Sequence, residues 1–213
     1  MNSPAAIRKE YRQRALHESE VSADPLHQFG LWWQEALHAE IEEVNAMTLA
    51  TASPAGVPSA RIVLLKGYTE KGFVFFTNYQ SFKGKDLEDN PRACLVFFWK
   101  ELERQIRITG LVEKVSTAES DDYFSSRPEG SRIGACISPQ STVIPNRQWL
   151  EDKERAFLSS LSANTVQRPV HWGGYRVRPV TMEFWQGRPN RLHDRLQYSI
   201  QENGHWKLER LAP

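Results

Sequence analysis

Cysteine is scarce in this chain of 213 residues: there are two, Cys94 and Cys136, each alone inside an apolar or small-residue run. That excludes a disulfide framework and a Cys-x-x-Cys metal site, and it fits a reducing compartment. Charge of either sign is in no excess, with 27 Lys plus Arg against 26 Asp plus Glu, so no global field draws nucleic acid or an anionic membrane. An anion site has to be local. No apolar run approaches the roughly 20 residues that span a bilayer, and the opening MNSPAAIRKEYRQR lacks the apolar core of a signal peptide, so a soluble cytoplasmic protein is expected. Gly-x-Gly-x-x-Gly, the P-loop, His-Glu-x-x-His and Gly-x-Ser-x-Gly are all missing, so the sequence indicates no Rossmann or P-loop nucleotide site, no metal centre and no serine nucleophile. No pair of carboxylates stands in an obvious acid/base role either. Chemistry, if there is any, falls to a bound organic cofactor.

Aromatics are plentiful, at 11% of residues with seven Trp, which invites a large interface or a flat ligand. The length suits one domain. Residues 1 to about 22 are polar and mixed in charge and read as a flexible arm, with a single domain over 23–213. Asp24 can cap a helix with Pro25 at its first position, and Leu26, Phe29, Trp33, Leu37 and Ile41 form an apolar stripe along it. From Ala46 short β-rich runs follow: AMTLATA, ARIVLLKGY, FVFFTN, ACLVFFWK and RQIRITGLVEKV, joined at first by tight turns, as in an antiparallel meander that curls toward a closed barrel. Ser116 and Glu119 form a capping box that opens a helix ended by Pro128, and a second helix runs from about Arg147 to Leu161. YRVRPVTMEFW, HDRLQYSI and HWKLERL return to strands, the last two joined by Asn203-Gly204. The expected class is α+β, an antiparallel split β-barrel with flanking helices.

Three constellations could carry chemistry. Arg61 and Lys66 bracket four apolar residues; solvated strand ends would look the same, but on a strand without a bulge the two cations point to opposite faces and suit two different anions. Thr77, Ser81, Lys83 and Lys85 gather at a helix start, where free N–H groups favour phosphate, although a charged surface helix would also read this way. Tyr123, Arg127 and Ser131, spaced by four on a helix and the loop after it, can converge on one phosphate, with Gln140-Ser141 beyond. Finally, Arg191, His193 and Arg195 alternate in RLHDR, which on an extended strand makes a cationic row along one face. Such a row suits an anionic ring compound, and equally suits water.

Together these segments resemble the pyridoxine (pyridoxamine) 5′-phosphate oxidase family, FMN enzymes that make pyridoxal 5′-phosphate. The pieces that carry the resemblance are RIVLLK, FFTNYQSFKGK, LERQIRITG, YFSSRPEGSRIGACISPQS, HWGGYRV, EFWQG and RLHDR, spread over nearly the whole chain. The resemblance implies a homodimer of split barrels with FMN at the subunit interface, small-molecule substrates and O2, and no nucleic-acid or membrane partner. It implies flavin contacts from Arg61, Ile62, Val63, Leu64, Leu65, Lys66, Phe76, Thr77, Lys83, Gln105, Gln140, Ser141, Trp185 and Arg195. On the substrate side it implies Lys66, Tyr123, Arg127 and Ser131 around the phosphate, Arg191, Leu192 and His193 at the pyridine ring, and Arg8, Lys9, Glu10 and Tyr11 closing over the pocket. Arg191 and His193 are the implied catalytic pair, either of which, His193 being protonated, would stabilise the substrate's phenolate. The implied reaction moves a hydride from the C4′ carbon of pyridoxamine or pyridoxine 5′-phosphate to FMN, reduces O2 to hydrogen peroxide, and with the amine substrate ends in hydrolysis of an imine. The family pattern reads Ser-Arg-Lys where this chain has Ser81-Phe82-Lys83, so a guanidinium is absent near the flavin phosphate. Another split-barrel flavoprotein, or a non-catalytic flavin or pyridoxal phosphate carrier, is the alternative.

Overall fold

The computed structural model describes residues 10–161 and 166–213. Among the described residues nine strands and five α-helices follow in the order α1 (Pro25–His38), β1 (Ala46–Ala52), β2 (Pro58–Leu64), β3 (Gly67–Thr69), β4 (Gly72–Asn78), α2 (Phe82–Asp89), β5 (Arg92–Trp99), β6 (Arg104–Lys114), α3 (Thr117–Ser126), α4 (Glu129–Ile137), α5 (Arg147–Ser160), β7 (Trp172–Gln186), β8 (Asp194–Ile200) and β9 (Trp206–Arg210). No helix among the described residues is long and apolar enough to cross a membrane.

All strand pairs are antiparallel, in the order β2-β1-β5-β6-β7-β4-β3, with β8 and β9 added on β7. This is not a simple meander, because β4 pairs with β7 rather than with β2. The reason lies at Leu65 and Lys66: the Leu65 N–H donates to Asn45 O and the Lys66 N–H to Val74 O, both at 2.8 Å, so one chain stretch passes from one end of the sheet order to the other. The sheet therefore curls on itself, as a split barrel does. β7 is the spine. One edge pairs with β6 along its length, and the other is shared between β4 at residues 172–177 and β8 at 181–186. Pro179 sits in the gap between those two partners, where its missing N–H removes no ladder bond. Opposite it the β6 register shifts at Thr109/Gly110, and a Cβ on Gly110 would lie 2.1 Å from Arg178 O, so only glycine fits.

The barrel core is aromatic and aliphatic, with Phe29, Phe73, Phe75, Phe97, Ile106, Ile108 and Phe184 fully buried. Asp24 caps α1 by accepting the Leu26 N–H at 2.9 Å. The face that α1 buries carries Gln28, Phe29, Trp32 and Ala36, whereas Leu37 is 46% exposed and Trp33 only half-buried. The expected stripe is thus rotated, because Trp32 packs edge-on against Phe184 at 5.1 Å with the Arg104 guanidinium 4.2 Å above it.

The described part of the expected arm, residues 10–22, is fastened to the barrel rather than loose. Arg12 and Gln13 donate their main-chain N–H groups to Glu103 Oε2 at 2.9 and 3.2 Å, and the N–H of buried Leu16 donates to Asp194 Oδ2 at 3.1 Å. Arg210 grips Glu18 through two 2.7 Å hydrogen bonds and holds its carboxyl down at about 2. Polarity suggested looseness, but these partners lie at distant positions in the chain. The stretch after Pro128, expected as a loop, is α4.

Phe29 touches Tyr68 and Phe73 at 4.9 Å and Phe97 at 5.4 Å, so it pins α1 to three strands. Phe29→Ala is expected to lower unfolding free energy by about 3–5 kcal/mol, read from urea titration.

Candidate functional site

A cavity of about 840 Å³ opens where β2, β4, α3 and α4 meet. Four cations line it, Arg61, Lys66, Lys83 and Arg127, and no carboxylate does. Lys83 lies in the first turn of α2, where Ser81 caps the helix, and the buried Lys83 ammonium donates to Ser81 Oγ at 3.3 Å. Burial, then the nearby Arg61 charge, push the Lys83 pKa down. Arg127 follows α3, stacks on the Trp172 ring at 4.6 Å and keeps Nη1 buried without a protein partner. Burial lowers its pKa too, as it does for Arg61. Such cations call for an anion that the protein does not itself supply.

Arg61 and Lys66, expected to serve separate anions, line the same cavity. The strand alternation that would separate them ends where the chain bends after Leu64. Arg61 is braced from behind by Leu49 O at 3.2 Å, Thr51 Oγ1 at 2.7 Å and Ser59 Oγ. Ile62, Val63 and Leu64 also line the cavity, whereas Leu65 is buried in the barrel core. Phe76 and Tyr123 stack with centroids 3.9 Å apart and planes at 19°, and Trp172 lies parallel to Tyr123 within 6°. Thr77 Oγ1 donates to Gln140 Oε1 at 3.3 Å, and Ser131 completes the lining beside Arg127. Ser141, at φ +69°, opens onto an adjoining cavity of about 480 Å³ with Arg61, Lys83, Asp86 and Phe82. Phe82 is 64% exposed there, and Lys85 is exposed and lines neither cavity.

The remaining residues of interest form a second group. Phe98, Gln105, Trp185 and Arg195 stand in one cross-strand row over β5, β6, β7 and β8. None of the four lines the cavity: Phe76 pairs with Gly174, and Trp185 is eleven positions farther along β7. Trp185 meets the His193 ring at 4.6 Å and the Tyr11 ring at 5.7 Å, and Tyr11 and His193 are 6.0 Å apart.

The alternating Arg191, His193, Arg195 row does not form on one strand face, because β8 begins only at Asp194. Before it, Pro189–Arg191 make a 3₁₀ turn with Asn190 and Arg191 both left-handed, at φ +56° and +62°, and Leu192 is 68% exposed. Two consecutive non-glycine residues in that region store strain beside the ring cluster. Arg195 is held by Glu183, its Nε donating to Oε1 at 2.8 Å, and it reaches Ala212 O at 2.9 Å. Glu10 is exposed and paired with Arg12, whereas Arg8 and Lys9 lie outside the described residues.

Two neighbours escaped the sequence reading. Trp172 supports Arg127, and its signal was the Gly173-Gly174 pair after it: a Cβ at Gly174 would lie 2.8 Å from the Phe76 ring. Glu183, buried and also bonded to Arg107, shares a strand face with Trp185 two residues on.

The sequence profile described as pyridoxamine 5′-phosphate oxidase matches residues 33–158, and that described as the pyridoxine 5′-phosphate oxidase C-terminal dimerisation region matches residues 172–213. The chain belongs to the pyridoxamine 5′-phosphate oxidase family. Relatives named pyridoxine/pyridoxamine 5′-phosphate oxidase include one from Polynucleobacter asymbioticus, 58% identical over 213 residues and the whole of both chains. Another, from a Cyanothece species, is 58% identical over 207 residues and 97% of both. Among solved structures, PhzG from Burkholderia lata, in complex with tetrahydrophenazine-1-carboxylic acid, superposes with a TM-score of 0.87 at 29% identity, over 93% of this chain and 98% of that one. For this member of the oxidase family, the match covers nearly the whole length of each of these relatives.

His193 Nδ1 accepts the Arg188 main-chain N–H at 3.1 Å, so the ring proton sits on Nε2. Burial, then the Arg191 charge, lower its pKa from the ordinary 6.5, against a smaller opposing pull from Asp194. That shift favours the neutral form over the protonated one. A histidine lowered on folding contributes stability that is present above its unfolded pKa and is lost as pH falls through the folded value. Nitrogen-15 NMR is expected to show His193 more than half neutral, with the neutral form's proton on Nε2, at pH 6.5, where a free histidine is half charged.

Proposed function

We propose that the protein oxidises pyridoxamine 5′-phosphate and pyridoxine 5′-phosphate to pyridoxal 5′-phosphate with FMN as resident cofactor, working as a homodimer in the cytoplasm. The observation that carries this reading is the cavity with four cations, three parallel aromatic rings and no carboxylate. Lys83 buried with one hydroxyl partner and Arg127 with an unpartnered Nη1 fit anionic phosphates, which supply the bidentate acceptors a guanidinium seeks. The residues that would hold the flavin are Arg61, Lys66, Phe76, Thr77, Lys83, Gln140 and Ser141. Those that would hold the substrate phosphate are Lys66, Tyr123, Arg127 and Ser131. The chemistry supplied by FMN is acceptance of a hydride and its passage to O2 as hydrogen peroxide.

The chain's own residues bind and orient. Trp185, His193, Arg191 and Arg195 do not line the cavity of their own chain, and a second copy would bring them to it. The matched C-terminal dimerisation region supports that arrangement, as do the exposed Ile62 and Phe98 on the outside of the sheet. Neutral His193 then offers Nε2–H, and Arg191 a positive charge, to the phenolate of the vitamer. The free cysteines Cys94 and Cys136 agree with a reducing compartment.

An aerobic assay of the purified chain with FMN and pyridoxamine 5′-phosphate is expected to give aldehyde and peroxide in equal amounts; FMN binding without either product would leave a carrier.

The exposed Phe82 predicts something further. It offers no donor and is not packed, and it stands next to Lys83 at the start of α2. Phe82→Arg is therefore expected to lower the FMN dissociation constant about fivefold at low salt, and less at high salt, in fluorescence-quenching titrations of the apoprotein. Unchanged or weaker binding would make Phe82 a packing residue.

A further inference from the structure

We propose that Glu103 is a positioning residue, whose carboxylate fastens the N-terminal segment so that the Tyr11 ring is held against Trp185 and His193. This rests on the reading above that the ring cluster meets the vitamer. Glu103 sits in the connection between β5 and β6, only 3% exposed and left-handed at φ +54°. A buried carboxylate in a strained conformation needs a compensating role. Its contacts supply one. Oε2 accepts the main-chain N–H groups of Arg12 and Gln13, the two residues directly after Tyr11. Its main-chain oxygen accepts the Gly187 N–H at 2.8 Å and Gln186 Nε2 at 3.2 Å, the two residues directly after Trp185. Gln186 is fixed in turn by Arg104 Nε at 2.9 Å.

One residue thus ties together the two backbone stretches that carry Tyr11 and Trp185. The fit between them is close: a Cβ on Gly187 would lie 2.6 Å from the Tyr11 ring, so the ring rests on bare backbone. Immediately beyond, the Arg188 N–H holds His193 Nδ1. Loss of the Glu103 carboxylate would loosen Tyr11 while leaving the cavity cations, on β2, the bend after it, α2 and the end of α3, where they are.

The test uses the full-length protein with FMN bound and compares wild type with Glu103→Gln, Glu103→Gly, Tyr11→Ala and the Glu103→Gly/Tyr11→Ala double variant. Glycine removes the carboxylate and relieves the left-handed strain, so the fold is kept. For Glu103→Gly, trypsin is expected to cut at Arg12 and Arg14 about tenfold faster, and KM for pyridoxamine 5′-phosphate to rise about tenfold with kcat within about twofold. FMN affinity stays unchanged. Glu103→Gln keeps an acceptor and falls between. Because Glu103 acts through Tyr11, the double variant has the KM of Tyr11→Ala alone. Unaltered tryptic cleavage, an unaltered KM, fully additive effects, or a parallel loss of FMN affinity would each overturn the proposal. A wild-type chain that binds FMN and leaves the vitamer unoxidised would overturn the functional reading instead, while the trypsin arm still decides whether Glu103 fastens the segment.

Discussion

Four positive charges around one cavity, with no carboxylate on its wall, repel one another and lose hydration where they are buried. The fold has to hold them there. Arg61 comes from the middle of β2, Lys66 from the bend after it, Lys83 from the first turn of α2 and Arg127 from just after α3, so several separate stretches of the fold bring them together. The nearest acid, Asp86, lies behind Arg61 and is occupied by the hydroxyls of Thr51 at 2.6 Å and Ser59 at 3.1 Å. Neutralisation is therefore left to ligands, and whatever anions bind will stabilise the folded state by mass action. Curling of the sheet, capping of α2 by Ser81 and stacking of Arg127 on Trp172 all serve to keep this unbalanced charge in place.

Much of this was legible in the sequence, because local patterns carry local structure. Asp24-Pro25, Ser116 with Glu119 and the Asn203-Gly204 turn all lie where their chemistry put them; AMTLATA, FVFFTN and ACLVFFWK keep their bounds within a residue, whereas ARIVLLKGY, expected as one strand, is split at Leu65 and Lys66 into β2 and β3. Pairing was less legible. That β4 joins β7 rather than β2 depends on a bend at Leu65 and Lys66 which no propensity marks. The helix face of α1 was misjudged because Trp33 and Trp32 are adjacent and equally apolar, and only the partner surface at Phe184 and Arg104 chooses between them. The fastened segment 10–22 was missed for the same reason: Glu103, Asp194 and Arg210 are its partners, and sequence distance hides them.

The site followed the same rule. Tyr123, Arg127 and Ser131 could be read from spacing because two successive helices carry them past one cavity. Arg191, His193 and Arg195 could not be read as a strand row, since Asn190 and Arg191 turn left-handed just before β8 starts. Trp172 and Glu183 escaped because each acts by supporting a more conspicuous cation.

That support bears on how the two groups of residues divide their work. Glu183 holds both Arg195 and Arg107, so the charge of Arg195 is largely answered within its own chain and is pushed toward permanence rather than toward a ligand. His193 is kept neutral by burial and by Arg191, with one ring nitrogen already taken by the Arg188 N–H. The ring cluster therefore carries little net positive charge compared with the cavity. On the proposed reading, long-range attraction for a doubly charged phosphate would reside in Arg61, Lys66, Lys83 and Arg127, whereas Trp185, Tyr11 and His193 would contribute flat apolar surface and one directed N–H donor. A ligand with phosphate at one end and an aromatic ring at the other would suit that division once a second copy brings the two groups together: it would be captured by its charge and oriented by its ring.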